Sequence, residues 1–519
     1  MDNAFLVPDK SIFVDTNNIK YVLKNLIGRG GQGAVYATDE PDIALKFLVT
    51  SNSESQFAEL NLETNAIERF KCKIFHLSHL QIDESIKVSM PLSILSECGG
   101  YTLKLLGGKT NFDSFFPPNY DSLQTDEEKA TETIRFFIKT GGLKLRYKAL
   151  GVAATELSKL HSRGMVYCDI SSSNLFVISE VLKAEENREE RKSEQNKINE
   201  DLSCTVWFID ADNIDYESNI SPSAVYTPGY GAPEIIQLMA VADKTNKAIT
   251  SKMYSDCYSF SILSFKTIFL AQHPFYGNSP KMDNKDDIQF FIGGHKQTVS
   301  CADFGSLPWI NDSDDNSNAL ETLMPFNLIL NENLQFLYHL TFDSNQGRNY
   351  PYIRPSIFLW SYEFFRAYDR TITCPDCGFT YDYSLHSCPK CDKVKDKTIV
   401  FKTFILTDNG RLKHSVWEFA KNIITSKDIK LPKRLFFPFN SKEYDEPIAS
   451  IDIDAEKKFL VFKKSIMADI KISTAMRKNS KFDDVSPKMV IEIPDDYDEF
   501  FWMVIQHNNH YRCIACSLE

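Results

Sequence analysis

The chain holds 519 residues, too many for one hydrophobic core, so roughly two to four domains are expected. A net charge of −12 argues against a nucleic-acid partner, which calls for a basic stripe, although a small basic patch remains compatible. Twelve cysteines are too sparse for a disulfide scaffold, and their only regular spacing is metal-like, the usage of a reducing, intracellular compartment.

The first fifteen residues, MDNAFLVPDKSIFVD, lack the basic region and apolar run of a signal peptide, and residues 1–19 read as an N-terminal extension. Residues 20–50 read as strand, glycine turn, strand, turn, strand. From Ser55 to Phe70 the period turns helical, with Phe57, Leu60, Ala66, Ile67 and Phe70 available for one buried face. KVSMPLSILSECGGYTLKLLGG then reads as two strands joined at Cys98-Gly99-Gly100. A strand-rich lobe, 20–107, thus precedes a larger helical lobe, 108–368, in which LRYKALGVAATELSKLHSRG is a long amphipathic segment. The longest apolar stretch, Phe260 to Ala271, includes Lys266 and is too short for a bilayer, so a buried core helix and no membrane contact are expected, in a cytosolic protein. Residues 180–201 form a charge-dense insertion, a solvated helix or a mobile loop. A cysteine region, 372–394, leads into a β-rich stretch, 396–519, whose runs TIVFKTFIL, IASIDID, KKFLVFKK, MVIEIP and FFWMVIQ look like strands without a fixed-period repeat.

Several motifs carry chemistry. GRGGQGAV fits G-x-G-x-x-G-x-V with Gly28, Gly30, Gly33 and Val35, and with Gly31 inside the loop; glycines there let backbone N–H groups approach phosphate oxygens. A plain glycine hairpin looks the same, but a strand rather than a helix follows Gly33, which sets the motif apart from a dinucleotide fingerprint. IALK places Lys46 on a mostly buried strand, where an ammonium needs an anion; the bland alternative is an edge lysine that snorkels to water. Asp169 and Asn174 stand five positions apart in YCDISSSN, which on its own could be an ordinary loop between strands. Asp210 ends the apolar run TVWFID. One carboxylate to orient a hydroxyl, with Asn and a second carboxylate to hold magnesium, suits phosphoryl transfer. Downstream, YTPGYGAPE sets Thr227, Gly229, Pro233 and Glu234 in one turn-rich segment, Asp256 opens the buried helix, and Arg354 is a candidate partner for Glu234.

In these motifs and their order the chain resembles the eukaryotic-like Ser/Thr protein kinases, over roughly residues 20–368. The resemblance implies an α+β, bilobal kinase-like domain, followed here by a zinc ribbon and a β-rich C-terminal domain. It implies ATP and Mg²⁺ as cofactors, Lys46 on the α- and β-phosphates, and Glu63 as the helix glutamate paired with it, Glu59 being the weaker candidate. Asp169 aligns with the catalytic-loop aspartate, and Asn174 and Asp210 with the magnesium ligands. Val35 and Ala44 would roof the adenine, Phe176 would lie beneath it, and the hinge would fall near Leu105 to Gly107. Protein substrates follow from the same likeness. DISSSN and FIDADN look like a bacterial branch, some of whose members occur beside a phosphatase and a von Willebrand-type protein. The departures matter too: Tyr167-Cys168-Asp169 lacks the usual arginine, Ser171 replaces a catalytic-loop lysine, and Asp210-Ala211-Asp212 lacks the usual phenylalanine. Without that arginine, activity is expected not to depend on activation-segment phosphorylation, although Ser218, Ser221 and Ser223 are candidate autophosphorylation sites.

CPDCGFTYDYSLHSCPKC supplies Cys374, Cys377, Cys388 and Cys391 as two C-P-x-C knuckles, the ligand set of a closed, structural zinc site. His386 reads as a bystander. Cys513 and Cys516 have similar spacing but no second pair, and read as strand residues. Three readings stay open: an active protein kinase whose ribbon and tail dock partners, a pseudokinase scaffold signalling through those modules, and a small-molecule kinase. TPGYGAPE, normally a platform for a peptide hydroxyl donor, argues against the third.

Overall fold

The computed structural model describes residues 11–30, 33–48, 64–96, 98–107, 110–186, 202–218, 225–245, 249–279, 287–292, 295–407, 410–411, 414–423, 428–437, 447–454, 459–464, 471–475, 483–484, 488–492, 501–507 and 510–519. Gly31, Glu59, Glu63, Ser221 and Ser223 lie outside them.

The first lobe is a six-stranded antiparallel sheet of β1 (Ile12–Val14), β2 (Lys20–Gly30), β3 (Gly33–Thr38), β4 (Ile43–Leu48), β5 (Pro91–Ile94) and β6 (Gly100–Lys104), in the order β1-β2-β3-β4-β6-β5. Alternation sends Phe13, Tyr21, Leu23, Leu45, Phe47 and Leu95 to one buried face. Residues 12–14 therefore belong to the sheet, which corrects the reading of 1–19 as an extension; β1 is too short to show alternation in the sequence. Helix α1 (Thr64–Ser78) lies against this lobe, with Ile74 and Leu77 buried and Phe70 stacked on Tyr101 of β6, ring centroids 6.2 Å apart.

The second lobe contains β7 (Thr110–Asn111), α2 (Asp126–Lys139), α3 (Gly142–His161), β8 (Met165–Val166), β9 (Leu175–Ile178), α4 (Glu180–Glu186), β10 (Thr205–Phe208), β11 (Asp215–Tyr216), α5 (Pro233–Thr245), α6 (Met253–Ile268), β12 (Ile288–Ile292), β13 (His295–Val299), α7 (Phe326–Ile329), α8 (Glu332–Phe342) and α9 (Ile357–Arg370). Thr125 and Glu128 form a reciprocal capping box that starts α2. Helix α3 is buried along most of its length rather than on one stripe, because neighbouring elements, α6 and α9 among them, cover it on several sides. Helix α6 is the buried core helix expected from its apolar run. No helix among the described residues is long and apolar enough to cross a membrane.

After α9 a hairpin of β14 (Thr371–Thr373) and β15 (Thr380–Asp382) carries the first cysteine knuckle. The C-terminal region contains β16 (Thr398–Thr407), β17 (Gly410–Arg411), β18 (Trp417–Asn422), β19 (Asp428–Pro432), α10 (Lys433–Phe436), β20 (Pro447–Asp454), β21 (Phe459–Lys464), β22 (Lys471–Ala475), β23 (Asp483–Asp484), β24 (Lys488–Glu492), β25 (Phe501–His507) and β26 (His510–Leu518). They form a seven-stranded sheet, β17-β16-β26-β25-β22-β23 with β18 on β16, and a four-stranded sheet, β19-β20-β21-β24.

This region is not a loosely tethered module. Tyr362 and Phe365 of α9 share a core with Ile399, Phe401, Trp417 and Phe419, while Trp360 and Phe364 on its other side belong to the core of the helical lobe. Each aromatic buried in this way stabilises the junction by about 1.5–3 kcal/mol. Asp369, wholly buried at the end of α9, accepts two hydrogen bonds from Arg434, each 2.7 Å long, and one of 2.8 Å from the Trp417 indole.

Candidate active site and cysteine centre

The cleft between the lobes is built from three loops and one strand. Lys46 enters from β4, where a Cβ on Gly33 would stand 2.7 Å from the Phe47 carbonyl oxygen and 2.9 Å from Lys46 Cε, so only glycine leaves room for this stem. Gly28 faces open space, and Gly30 pairs with Gly33 at the mouth of the β2–β3 hairpin. Lys46 is 5% exposed, so the snorkelling alternative does not hold. Its ammonium donates to Asp210 Oδ1 and to Asp212 Oδ2, the latter at 2.7 Å. Residues 164 positions apart in sequence thus meet in one cleft. Burial works against the Lys46 charge, but Asp212 and Asp210 outweigh it and hold the pKa above the ordinary lysine value.

Asp169 is buried and tied down. Thr227 Oγ1 donates to its Oδ1 at 2.7 Å, and Asn174 Nδ2 donates to its Oδ2 at 3.1 Å and to its backbone oxygen at 2.9 Å. Burial raises its pKa above the usual carboxylate range, while the Thr227 hydrogen bond opposes the shift. Since the Asn174 NH₂ serves Asp169, its carbonyl oxygen is the atom left to face a cation. Asp210 is likewise raised, chiefly by burial and against the pull of Lys46.

Two non-glycine residues with left-handed backbone flank the cleft, Cys168 at φ 76° and Asp210 at φ 59°, a conformation uncommon outside functional or strained sites. Asp256, 1% exposed on α6, fixes the first by accepting from Tyr167 N at 2.7 Å and Cys168 N at 2.9 Å, with His161 Nε2 3.0 Å away. The Tyr167 hydroxyl donates to the Ile209 carbonyl, joining the Asp169 and Asp210 loops. Glu234 and Arg354 form a bidentate pair, two hydrogen bonds of 2.8 Å. Ala44 is buried opposite Ala37, Val35 stands opposite Lys46, and Phe176 is half-buried on β9 opposite Asn111 and Trp207.

Sequence reasoning missed two groups. Asp212 makes a direct ion pair with Lys46 and also accepts from the hydroxyl of Tyr101, yet the Asp-Ala-Asp run reads from sequence only as a missing phenylalanine. His273 is buried behind the Thr227 turn; its Nε2–H donates to the Gly229 carbonyl at 3.0 Å and its Nδ1 accepts from Phe275 N at 3.2 Å, which fixes a neutral tautomer.

The four knuckle cysteines converge. Cys374 and Cys391 sulfurs lie 3.7 Å apart, Cys377 and Cys388 sulfurs 3.6 Å, and all four within 4.8 Å of one another. A disulfide would need about 2.05 Å, whereas a tetrahedral zinc with bonds of about 2.3 Å sets sulfurs about 3.8 Å apart. The donor set and spacing fit zinc, and His386 is not among the clustered groups. The two knuckles repeat one backbone pattern: Cys374 N donates to Phe379 O and Cys388 N to Lys393 O, both at 2.8 Å, while Gly378 N and Asp392 N return to Cys374 O and Cys388 O at 2.9 Å. Gly142 at the start of α3 has φ 59° and a Cβ there would fall 2.2 Å from Thr380 Oγ1, so the ribbon sits hard against the helical lobe. Cys513 and Cys516 are buried on β26, apart from this centre.

No protein-family profile matches the chain, and no curated protein matches it in sequence. Among solved structures it is similar to one titled "Crystal structure of Toxoplasma gondii specific rhoptry antigen kinase domain", at 11% identity, over 51% of this chain and 71% of that one, with a TM-score of 0.34. At that score the overlap is too slight to argue from.

Proposed function

We propose that the chain is an ATP- and Mg²⁺-dependent protein kinase that transfers the γ-phosphate to Ser or Thr of protein substrates. The observation that supports this reading is the meeting of Lys46 with Asp210 in the same cleft as the bonded pair Asp169 and Asn174. In this reading the Asp169 carboxylate orients the acceptor hydroxyl and takes its proton, and Thr227 holds that carboxylate in place. Lys46 grips phosphate oxygens. Asn174 Oδ1 and the Asp210 carboxylate would hold magnesium, a hard cation suited to oxygen donors; when bound it neutralises charge on the phosphates. The zinc ribbon is structural, having four protein ligands and no open position. Any partner docks on faces of the C-terminal sheets other than those packed against α9.

The test is transfer of labelled phosphate from ATP to protein. Asp169→Asn is expected to lose on the order of a hundredfold or more, and equal signal from both proteins would remove the enzyme reading. A second reading, a pseudokinase scaffold, draws on the double ion pair of Lys46, which satisfies the ammonium within the chain. It predicts nucleotide binding or none, and no transfer from wild type.

A further inference from the structure

We propose that Asp212 is the positioning residue for Lys46: its carboxylate, not an acid of α1, holds the ammonium aimed into the cleft, leaving Asp210 for the cation. The inference rests on the kinase reading of this site.

The two acids on Lys46 are not equivalent. The Asp212 side chain is 5% exposed and that of Asp210 25%, so Asp210 is the one that can turn to a ligand. Both Asp212 oxygens are engaged by the sheet lobe, Oδ2 by Lys46 at 2.7 Å and Oδ1 by the Tyr101 hydroxyl. Tyr101 stands directly opposite Lys46 in the β4–β6 register, so one carboxylate braces two neighbouring strands. Among the described residues, helix α1 contributes a base rather than an acid here: Lys73 Nζ donates to Asn213 Oδ1 at 3.0 Å. The one acid within α1, Glu68, is exposed. A buried carboxylate with both oxygens paired is costly to rearrange, whereas a partly exposed one is not.

Full-length wild type and the variants Lys46→Ala, Asp212→Asn, Asp212→Glu, Glu63→Gln and Glu68→Gln are compared by displacement of a fluorescent ATP analogue in Mg²⁺, and by kcat and KM for ATP. Asp212→Asn is expected to weaken nucleotide binding and raise KM at least tenfold, approaching Lys46→Ala, and Asp212→Glu to recover most of that. Glu63→Gln is expected to lose less than Asp212→Asn, and Glu68→Gln to match wild type. A Glu63→Gln loss equal to or larger than that of Asp212→Asn overturns the proposal, as does a wild type that binds no nucleotide. Should Asp212→Asn not fold, Tyr101→Phe keeps the ring and removes the donor to Oδ1. It is expected to raise KM for ATP severalfold at constant kcat, and an unchanged KM overturns the proposal. Transfer that survives Asp169→Asn would remove the kinase reading while leaving these binding comparisons intact.

Discussion

In the cysteine centre four sulfurs come from residues no more than 17 positions apart, whereas the cleft draws Lys46, Asp169 and Asp210 together over 164. Two tight turns suffice for the first. The second needs a sheet, a buried helix and three loops, each in place before any charge meets its partner. The difference shows in how each is held: the knuckles repeat a local backbone pattern, while Cys168 depends on Asp256 from α6 and Asp169 on Thr227, 58 positions away.

The largest expected effect tests whether the centre is as local in consequence as in construction. One zinc per chain is expected by metal analysis. Cys388→Ser or chelation should remove it and lower the melting temperature by on the order of 10 °C or more. Because Cys374 and Cys388 share a core with the helical lobe, calorimetry should show that lobe melting earlier too. A lobe that melts unchanged would make the ribbon an independent appendage. Next, Asp369→Ala removes the buried carboxylate that accepts two hydrogen bonds from Arg434, expected to cost about 3–5 kcal/mol in denaturant unfolding, while Asp369→Leu with Arg434→Met costs much less. Equal losses would mean that geometry rather than charge holds the junction.

His273 gives a smaller, pH-dependent effect. Burial pulls its pKa from 6.5 down to about 3. The unfolded chain therefore takes up a proton that the folded chain refuses, and stability is lost progressively as pH falls from about 6.5 towards about 3. Acid titration of unfolding should show this limb in wild type and a flatter one in His273→Gln; the same slope in both would leave the neutral ring without a role. The smallest effect concerns phosphate. The segment after Asp212 is tied by His76 to Asp215, by Met253 N to Glu217 and by Lys252 to the Ser218 carbonyl. Phosphatase treatment is expected to leave turnover unchanged, and a loss would show that phosphate orders this segment.

The same contrast explains what could be read from sequence. The knuckles, the β5–β6 turn and the buried α6 were legible because spacing, glycine and apolar runs are local signals. The meeting of Lys46 with Asp210 was legible only as an ordered series of motifs. Asp212 was not, because two acids two positions apart face one ammonium here across a left-handed residue at Asp210, and aspartate, though among the residues that tolerate this conformation, adopts it too seldom to signal it. Nor was the docking of the C-terminal sheet. Its one available hint was α9 itself, where IFLWSYEFFRAY carries aromatic residues on more than one side, more than a single packed face needs.

That helix has a consequence for the integrity of the molecule. A rod gripped along two opposite seams cannot be pulled free by loosening either one, so severing the backbone just after the ribbon would not part the pieces. They would stay joined through Phe365 and the salt link at Asp369, with the cleft wholly within the first piece.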